Sequence, residues 1–301
     1  MSLLVTGTIG IDTVETPDAR ADDVLGGTAV FFSLAGALFT DVRVVGVVGD
    51  DLDPKMLAPL KRERIDLAGL EVRQGSQTFR WHGKYLGAMN DRETVSVDLN
   101  VIAERGPTIP EAFADSDFVF LANTHPALQR ELRAALPDAR LVVCDTMDLW
   151  INGERDELVK LLGEVHGVVV NDAEARQLSG RSDLRSAGRA ILELGPRFVV
   201  IKKGEHGSML VSADDLFLMP PYPTDRVVDP TGCGDSFAGA MMGYLAAKGE
   251  WEGPALRSAI ARGSVVASLT VESFSTGSLA KASSADVERR LAELAAMVRF
   301  D

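Results

Sequence analysis

The chain has 301 residues, 46% of them hydrophobic and 25% charged, enough to bury a substantial core as one large domain with an appendage. Basic residues number 31 against 44 acidic, a formal charge of −13, which disfavours nucleic acid or anionic membrane as partner and favours a small molecule. The N-terminus lacks a basic leader, no apolar run is long enough to span a bilayer, and Cys144 and Cys233 have neither disulfide nor zinc spacing, so a cytoplasmic protein is expected.

In chain order, Leu3 to Thr6 reads as an apolar strand that runs through Gly7-Thr8-Ile9-Gly10-Ile11 to Asp12. Ligands of parallel α/β sheets bind at the carboxyl ends of strands, which makes Asp12 either a substrate ligand or a turn aspartate bonding its own backbone. A polar, slightly alternating stretch then leads to Gly26-Gly27, where a ligand can approach backbone, ahead of a helix over Thr28 to Thr40. Val42 to Val48 is a continuous β-branched strand of the kind covered on both faces, and Pro54 to Glu63 reads as a helix.

From Leu70 to Asn100 the texture changes to alternating, aromatic-containing strands with no helix between them, hence antiparallel hairpins. This insertion suits a lid or a dimer contact, with Arg80, Trp81 and Asn90 either facing substrate or forming surface pairs. After Pro110, strands at Phe118–Leu121, Leu141–Cys144, Val168–Val170 and Phe198–Ile201 alternate with helical stretches, which predicts a parallel sheet with helices on both faces. Asn123, Asp145, Asn171 and Lys202 end these strands and are expected along one sheet edge with Asp12. Asn171-Asp172-Ala173-Glu174 is either a helix cap or a group near a metal-bound phosphate. Lys202-Lys203-Gly204-Glu205-His206-Gly207 precedes a hairpin, and its glycines are either plain turn residues or a wrap for a nucleotide.

The stretch most specific for chemistry is Val227-Val228-Asp229-Pro230-Thr231-Gly232-Cys233-Gly234-Asp235-Ser236-Phe237-Ala238-Gly239. It reads as strand, glycine turn and helix. Bare amides at the turn and the positive end of the helix dipole form an anion cradle. Asp235, expected to be held ionised by the helix terminus, can accept a proton from a hydroxyl. Phosphoryl transfer to an alcohol follows as the working chemistry. No lysine is followed by Ser or Thr, which removes a P-loop. The four histidines, at 82, 125, 166 and 206, are scattered and none follows the motif, which disfavours a serine hydrolase built on Gly234-Asp235-Ser236.

Asp229 through Gly239 resembles the C-terminal signature of the ribokinase-like, or PfkB, carbohydrate kinases. Gly7–Asp12, Gly26-Gly27, residues 70–100 and Asn171–Glu174 are similar in order to that family's substrate strand, first signature, lid and N-x-x-E motif. The resemblance implies one ribokinase-like α/β domain over 1–301: a Rossmann-like, doubly wound, mostly parallel sheet with a small antiparallel β lid from about 13–25 and 70–100. It implies transfer of the γ-phosphoryl of ATP to a small carbohydrate. The alternatives are a nucleoside acceptor or, in a different class, a non-catalytic sugar- or nucleotide-binding protein.

By matching position, Asp235 would be the base and the amides of Gly232, Cys233 and Gly234 the anion hole. Asn171 and Glu174 would organise Mg²⁺ and phosphate, Asp12, Gly26 and Gly27 would hold substrate, and Lys203, Gly204 and Gly207 would border the nucleotide. Asp229 and Thr231 would lie near a monovalent cation such as K⁺. The resemblance also leaves room for a homodimer through the lid. Phe31 and Gly10 stand where ribokinases carry sugar-binding Asn, which sets ribose itself in question, and Cys233 replaces Ala, which predicts an oxidation-sensitive site. Phe31, Arg80, Trp81, Asn123 and Asp148 are the candidates for the specificity pocket.

Overall fold

The computed structural model describes residues 1–87 and 89–299; Ala88, Phe300 and Asp301 lie outside the described residues. The strands are β1 Leu3–Thr6, β2 Gly10–Glu15, β3 Arg20–Gly26, β4 Val42–Gly49, β5 Ile65–Arg73, β6 Phe79–Leu86, β7 Asp91–Asp98, β8 Phe118–Leu121, β9 Leu141–Asp145, β10 Gly167–Asn171, β11 Phe198–Lys202, β12 Ser208–Ser212 and β13 Leu216–Met219. The helices are α1 Thr28–Gly36, α2 Pro126–Ala134, α3 Asp148–Gly153, α4 Arg155–Leu162, α5 Asp172–Ser179, α6 Leu184–Leu192, α7 Cys233–Lys248, α8 Pro254–Thr270 and α9 Ser284–Met297.

Nine strands form one sheet in the order β13-β12-β11-β10-β9-β8-β1-β4-β5, parallel from β11 to β5 with an antiparallel β12–β13 edge. The continuous apolar runs occupy its centre because both faces are covered: β1, β8 and β9 are buried along their whole length. Alternation then sorts side chains into two cores. Leu3, Val5, Phe118 and Phe120 point to the layer of α1, α7, α8 and α9, and Leu4, Val119 and Leu121 to the layer of α2 through α6.

The chain leaves β1 for β4 on one side and returns to β8 on the other, so β1 and β8 flank the switch point where open α/β sheets bind ligands. α7 lies over these two strands. Its Gly239 and Gly243 allow a close crossing: a Cβ on Gly239 would fall 2.2 Å from the Phe32 carbonyl, and one on Gly243 2.8 Å from that of Gly36. The small residues of α7 thus pack it onto helix α1.

A second, four-stranded sheet has the order β3-β2-β6-β7. Three expectations change. Residues 70–73 of the 70–100 segment belong to β5, the edge of the large sheet. Asp12 sits within β2 of the small sheet rather than at the end of a core strand. The helix expected over Pro54 to Glu63 is only a 3₁₀ turn at Ala58–Leu60, where Pro59 removes an amide and the short stretch cannot propagate an α-helix.

Candidate active site

The turn before α7 is held from below. Val227-Val228 does not pair as a strand; instead the amides of Val228 and Asp229 donate to the Val271 carbonyl at 2.8 and 3.1 Å. Asp229, 0% exposed, accepts from the amides of Thr231 at 2.8 Å and Ser275 at 3.4 Å, a built-in turn of the kind aspartate favours. Gly232 is left-handed at φ 76°, and a Cβ there would fall 2.3 Å from the ring of Phe31. Glycine is therefore required both by the backbone and by the ring beneath it.

The amide of Cys233 donates to the Pro230 carbonyl at 3.1 Å, which subtracts it from the expected cradle. The amides of Gly232, Gly234 and Asp235 have no partner among the described residues. With the dipole of the 16-residue α7 behind them, these amides are free to bind an anion.

One expectation about this turn changes. The Cys233 thiol points to the Ala267 carbonyl of α8 at 3.6 Å, and burial pushes its pKa up, so it is an inert thiol rather than an oxidation-sensitive one. Burial also raises the pKa of the Asp235 carboxyl, with Lys202 and then Arg92 opposing the rise. Ser236 is 0% exposed, donates to the Cys233 carbonyl at 3.1 Å and accepts from Thr270 at 2.8 Å, which removes it as a nucleophile.

Lys202, at the end of β11, reaches the turn: a Cβ on Gly234 would stand 2.6 Å from its Nζ. Lys203, next to it, donates its backbone amide to the Gly207 carbonyl at 2.8 Å and closes the loop. Asp145, 5% exposed at the end of β9, leaves Oδ1 without a hydrogen-bond partner. Burial raises its pKa, and Asp235 and Glu174 add to the rise against Lys202. Asn171 and Glu174 form a reciprocal capping box, Asn171 N–H to Glu174 at 2.7 Å and Glu174 N–H to Asn171 at 2.8 Å, an arrangement that stabilises α5 by about 1 kcal/mol. The cap leaves Glu174 9% exposed beside Lys202, with its pKa raised chiefly by burial.

Strand parity decides which residues of the small sheet reach this turn. Asp12 lies opposite Trp81, Trp81 opposite Val97 and Tyr85 opposite Arg92, so all five share one face. Tyr85, 6% exposed, approaches the turn, its hydroxyl 3.2 Å from that of Thr231. Asp12 is buried, and desolvation, with the charges of Asp229 and Asp235, pushes its pKa up to about 7 against a bond from the Gly27 amide. A Cβ on Gly26 would fall 1.8 Å from the Asp12 carboxylate, and Gly27 is at φ 101° against the Thr8 carbonyl. The Gly-Gly pair thus makes room for the carboxylate.

Arg80 falls on the opposite face, paired with Asp23 at 2.9 Å and Asp51 at 3.6 Å, and so does not meet the Asp12 face. Asn123 is committed: it accepts from Trp150 Nε1 at 2.9 Å and donates to Met147 Sδ at 3.1 Å. Phe31 is 1% exposed beneath Gly232. Asp148 opens α3, exposed, near enough to add to the rise at Glu174. Asn90 crosses the gap, donating to Glu205 at 2.8 Å, with Gly204 against its side chain.

Sequence reasoning placed Lys202 and Asp145 at strand ends without choosing them, though that position was itself the signal. Tyr85 and Arg92 were missed because parity across the β7 bulge between His82 and Gly83 cannot be read along one strand.

The result is a set of free amides and a carboxylate at one helix terminus, with acidic groups on both sides and Lys202 between them. Such an arrangement can bind a phosphate chain and take a proton from a hydroxyl. Residues 23–282 match the model of the pfkB family of carbohydrate kinases. The chain is 28% identical over 250 residues to the cytidine kinase of Thermococcus kodakarensis, covering 81% of this chain and 88% of that one. Its fold is shared with the nucleoside kinase of Burkholderia thailandensis solved with inosine (TM-score 0.79, 18% identity, 97% of this chain and 98% of that one). The ribokinase of Arabidopsis thaliana solved with ribose and ATP has the same fold (TM-score 0.78, 17% identity, 96% and 98%). No helix among the described residues is long and apolar enough to cross a membrane. The chain belongs to the pfkB family of carbohydrate kinases and is a phosphotransferase with a hydroxyl acceptor, a carbohydrate or nucleoside kinase.

Proposed function

We propose that the protein transfers the γ-phosphoryl group of ATP to a hydroxyl of a nucleoside, with Asp235 as the base. The observation that carries this reading is Asp235 in the first turn of α7, beside unpartnered amides and facing a second buried carboxylate, Asp12, across the gap. The acceptor O–H bond breaks and its proton passes to the Asp235 carboxylate. The acceptor oxygen bonds the γ-phosphorus as the β–γ bridging bond breaks, leaving ADP. A base whose pKa is raised by burial is better matched to a weakly acidic alcohol than an ordinary carboxylate. The amides of Gly232 and Gly234, with Lys202, stabilise the charge on the transferring group.

Asp12 and the backbone of Gly26 and Gly27 hold acceptor hydroxyls, and Trp81, on the Asp12 face, offers a ring against which a base can stack. That ring, together with the likeness to a cytidine kinase, favours a nucleoside over a free sugar. Lys203, Gly204 and Gly207 border the nucleotide. Asp145, with an unpartnered Oδ1, and Glu174 lie beside Lys202; with phosphate oxygens and water completing the set they fit Mg²⁺, which would supply charge neutralisation there. Asp229, fully buried and bonded only by amides, together with Thr231, suits a monovalent cation such as K⁺.

An ATP-consumption screen over cytidine, inosine, ribose and simple polyols, with the product identified by mass, tests the reading. Turnover at least tenfold higher in kcat/KM for a nucleoside than for ribose is expected. A preference for ribose would move the acceptor to free sugars, and no turnover with any acceptor would leave a binding protein.

A further inference from the structure

The hairpin of β6 and β7 is fastened to the large domain at two places far apart in sequence. Tyr85 meets Thr231 at the turn, and Asn90 meets Glu205 on the loop after β11. Arg92 lies directly across the sheet from Tyr85, two residues beyond Asn90, on the face that carries Asp12 and Trp81. Its guanidinium lies over the Trp81 ring, 5.5 Å from the centroid, a cation–π contact that leaves its donors open. It is exposed, and it makes no ion pair or hydrogen bond among the described residues.

Two basic residues on the opposite face, Arg80 and His82, are paired, with Asp23 and Asp51 and with Glu15 respectively. Arg92 differs in facing the Asp12 side with its donors open. It shares a face with Asp12 on the acceptor side and stands opposite Tyr85, which meets Thr231 in the turn that carries Asp235. A group passing from nucleotide to acceptor lies between that turn and the Asp12 face.

We propose that Arg92 is a catalytic residue: carried in by the hairpin and held by Trp81, it contacts the phosphoryl group during transfer and offsets the charge on its oxygens, in the same chain that supplies Asp235. The inference rests on the kinase reading given above. Planar, multiply donating guanidinium groups suit phosphate oxygens, and an arginine that neutralises charge in the transition state of phosphoryl transfer commonly contributes orders of magnitude in rate.

The test compares wild type, Arg92→Ala and Arg92→Lys with MgATP and whichever of cytidine, inosine or ribose turns over fastest. Arg92→Ala is expected to lower kcat by roughly 10²- to 10³-fold, in line with other donors to a developing anion, with the acceptor KM changed less than threefold. Arg92→Lys should fall between the two, and free guanidinium ion at millimolar concentration should restore part of the lost kcat to Arg92→Ala alone. Rescue by guanidinium is a response that a merely structural residue would not give. A rise in acceptor KM with kcat unchanged would make Arg92 an acceptor-binding residue and overturn the inference, as would wild-type turnover in Arg92→Ala. If Arg92→Ala loses its near-ultraviolet circular dichroism, the unrescued kcat of Arg92→Lys decides, and a wild-type value overturns. No turnover of any acceptor by wild type fails the kinase reading and this inference with it; turnover by wild type and by Arg92→Ala alike fails this inference alone.

Discussion

The turn ahead of α7 and the four-stranded sheet meet over the same buried carboxylates, yet they are organised differently. In the turn, contiguous residues act together: Asp229 ties the amide of Thr231, Gly232 reverses the backbone over Phe31, and Asp235 follows within the first helical turn. In the sheet, the residues that converge are separated by dozens of positions, and adjacent ones diverge. Trp81 and Arg80 are neighbours in sequence and lie on opposite faces. Local chemistry written into a short loop survives as a motif, whereas chemistry assembled by strand pairing depends on register, and a one-residue slip would exchange the faces.

The largest expected difference between the regions is electrostatic. Asp12, in the sheet, is raised from 3.8 to about 7. Below about pH 4 the folded and unfolded chains both hold this proton; between about 4 and 7 only the folded chain does. The contribution is thus full at low pH and is lost as pH rises through about 7, a decline of as much as about 4 kcal/mol. Urea titrations of the ligand-free protein from pH 4.5 to 8 should show stability falling, and Asp12→Asn should flatten that slope. An unchanged slope would mean that Asp12 is not desolvated by the sheet.

The turn answers to sterics instead. Gly232→Ala introduces a left-handed alanine and a Cβ 2.3 Å from a buried ring, with an expected loss of roughly 2–4 kcal/mol that is independent of pH. A fall of less than about 0.5 kcal/mol in denaturant midpoint analysis would show that the Phe31 ring can give way.

The smallest contrast lies within the sheet. Trp81→Ala should raise the acceptor KM about tenfold, as expected for losing about 1–2 kcal/mol of stacking. Arg80→Ala, which loses half-exposed pairs on the other face, should leave it within about twofold. Equal effects would erase the distinction of faces.

These differences explain what could be read in advance. The α/β alternation was legible because β-branched runs at the centre of a covered sheet have no other use, and Leu3 through Thr6, Phe118 through Leu121 and Phe198 through Lys202 pair as that pattern requires. The position of Asp235 was legible because its glycines have a mechanical role. The upward push of burial on its pKa was not legible, since sequence shows a helix terminus but not the depth of burial around it. Arg80, Asn123 and Phe31 were chosen for residue type. Their partners, Asp23 and Asp51, Trp150 and Met147, and Gly232 with α1 around it, come from distant segments that only the fold brings together. Arg92 escaped notice because an isolated arginine in a polar hairpin carries no local sign of lacking a partner.

The central claim is that Asp235 takes the acceptor's proton while the neighbouring amides bind the phosphate chain. Asp235→Asn keeps the shape and the amides and removes the base, so phosphoryl transfer to the best acceptor should fall by at least roughly 10³-fold while titration with MgATP gives a Kd within about threefold of wild type. Turnover near the wild-type rate, or loss of transfer only in parallel with loss of MgATP binding, would contradict the account.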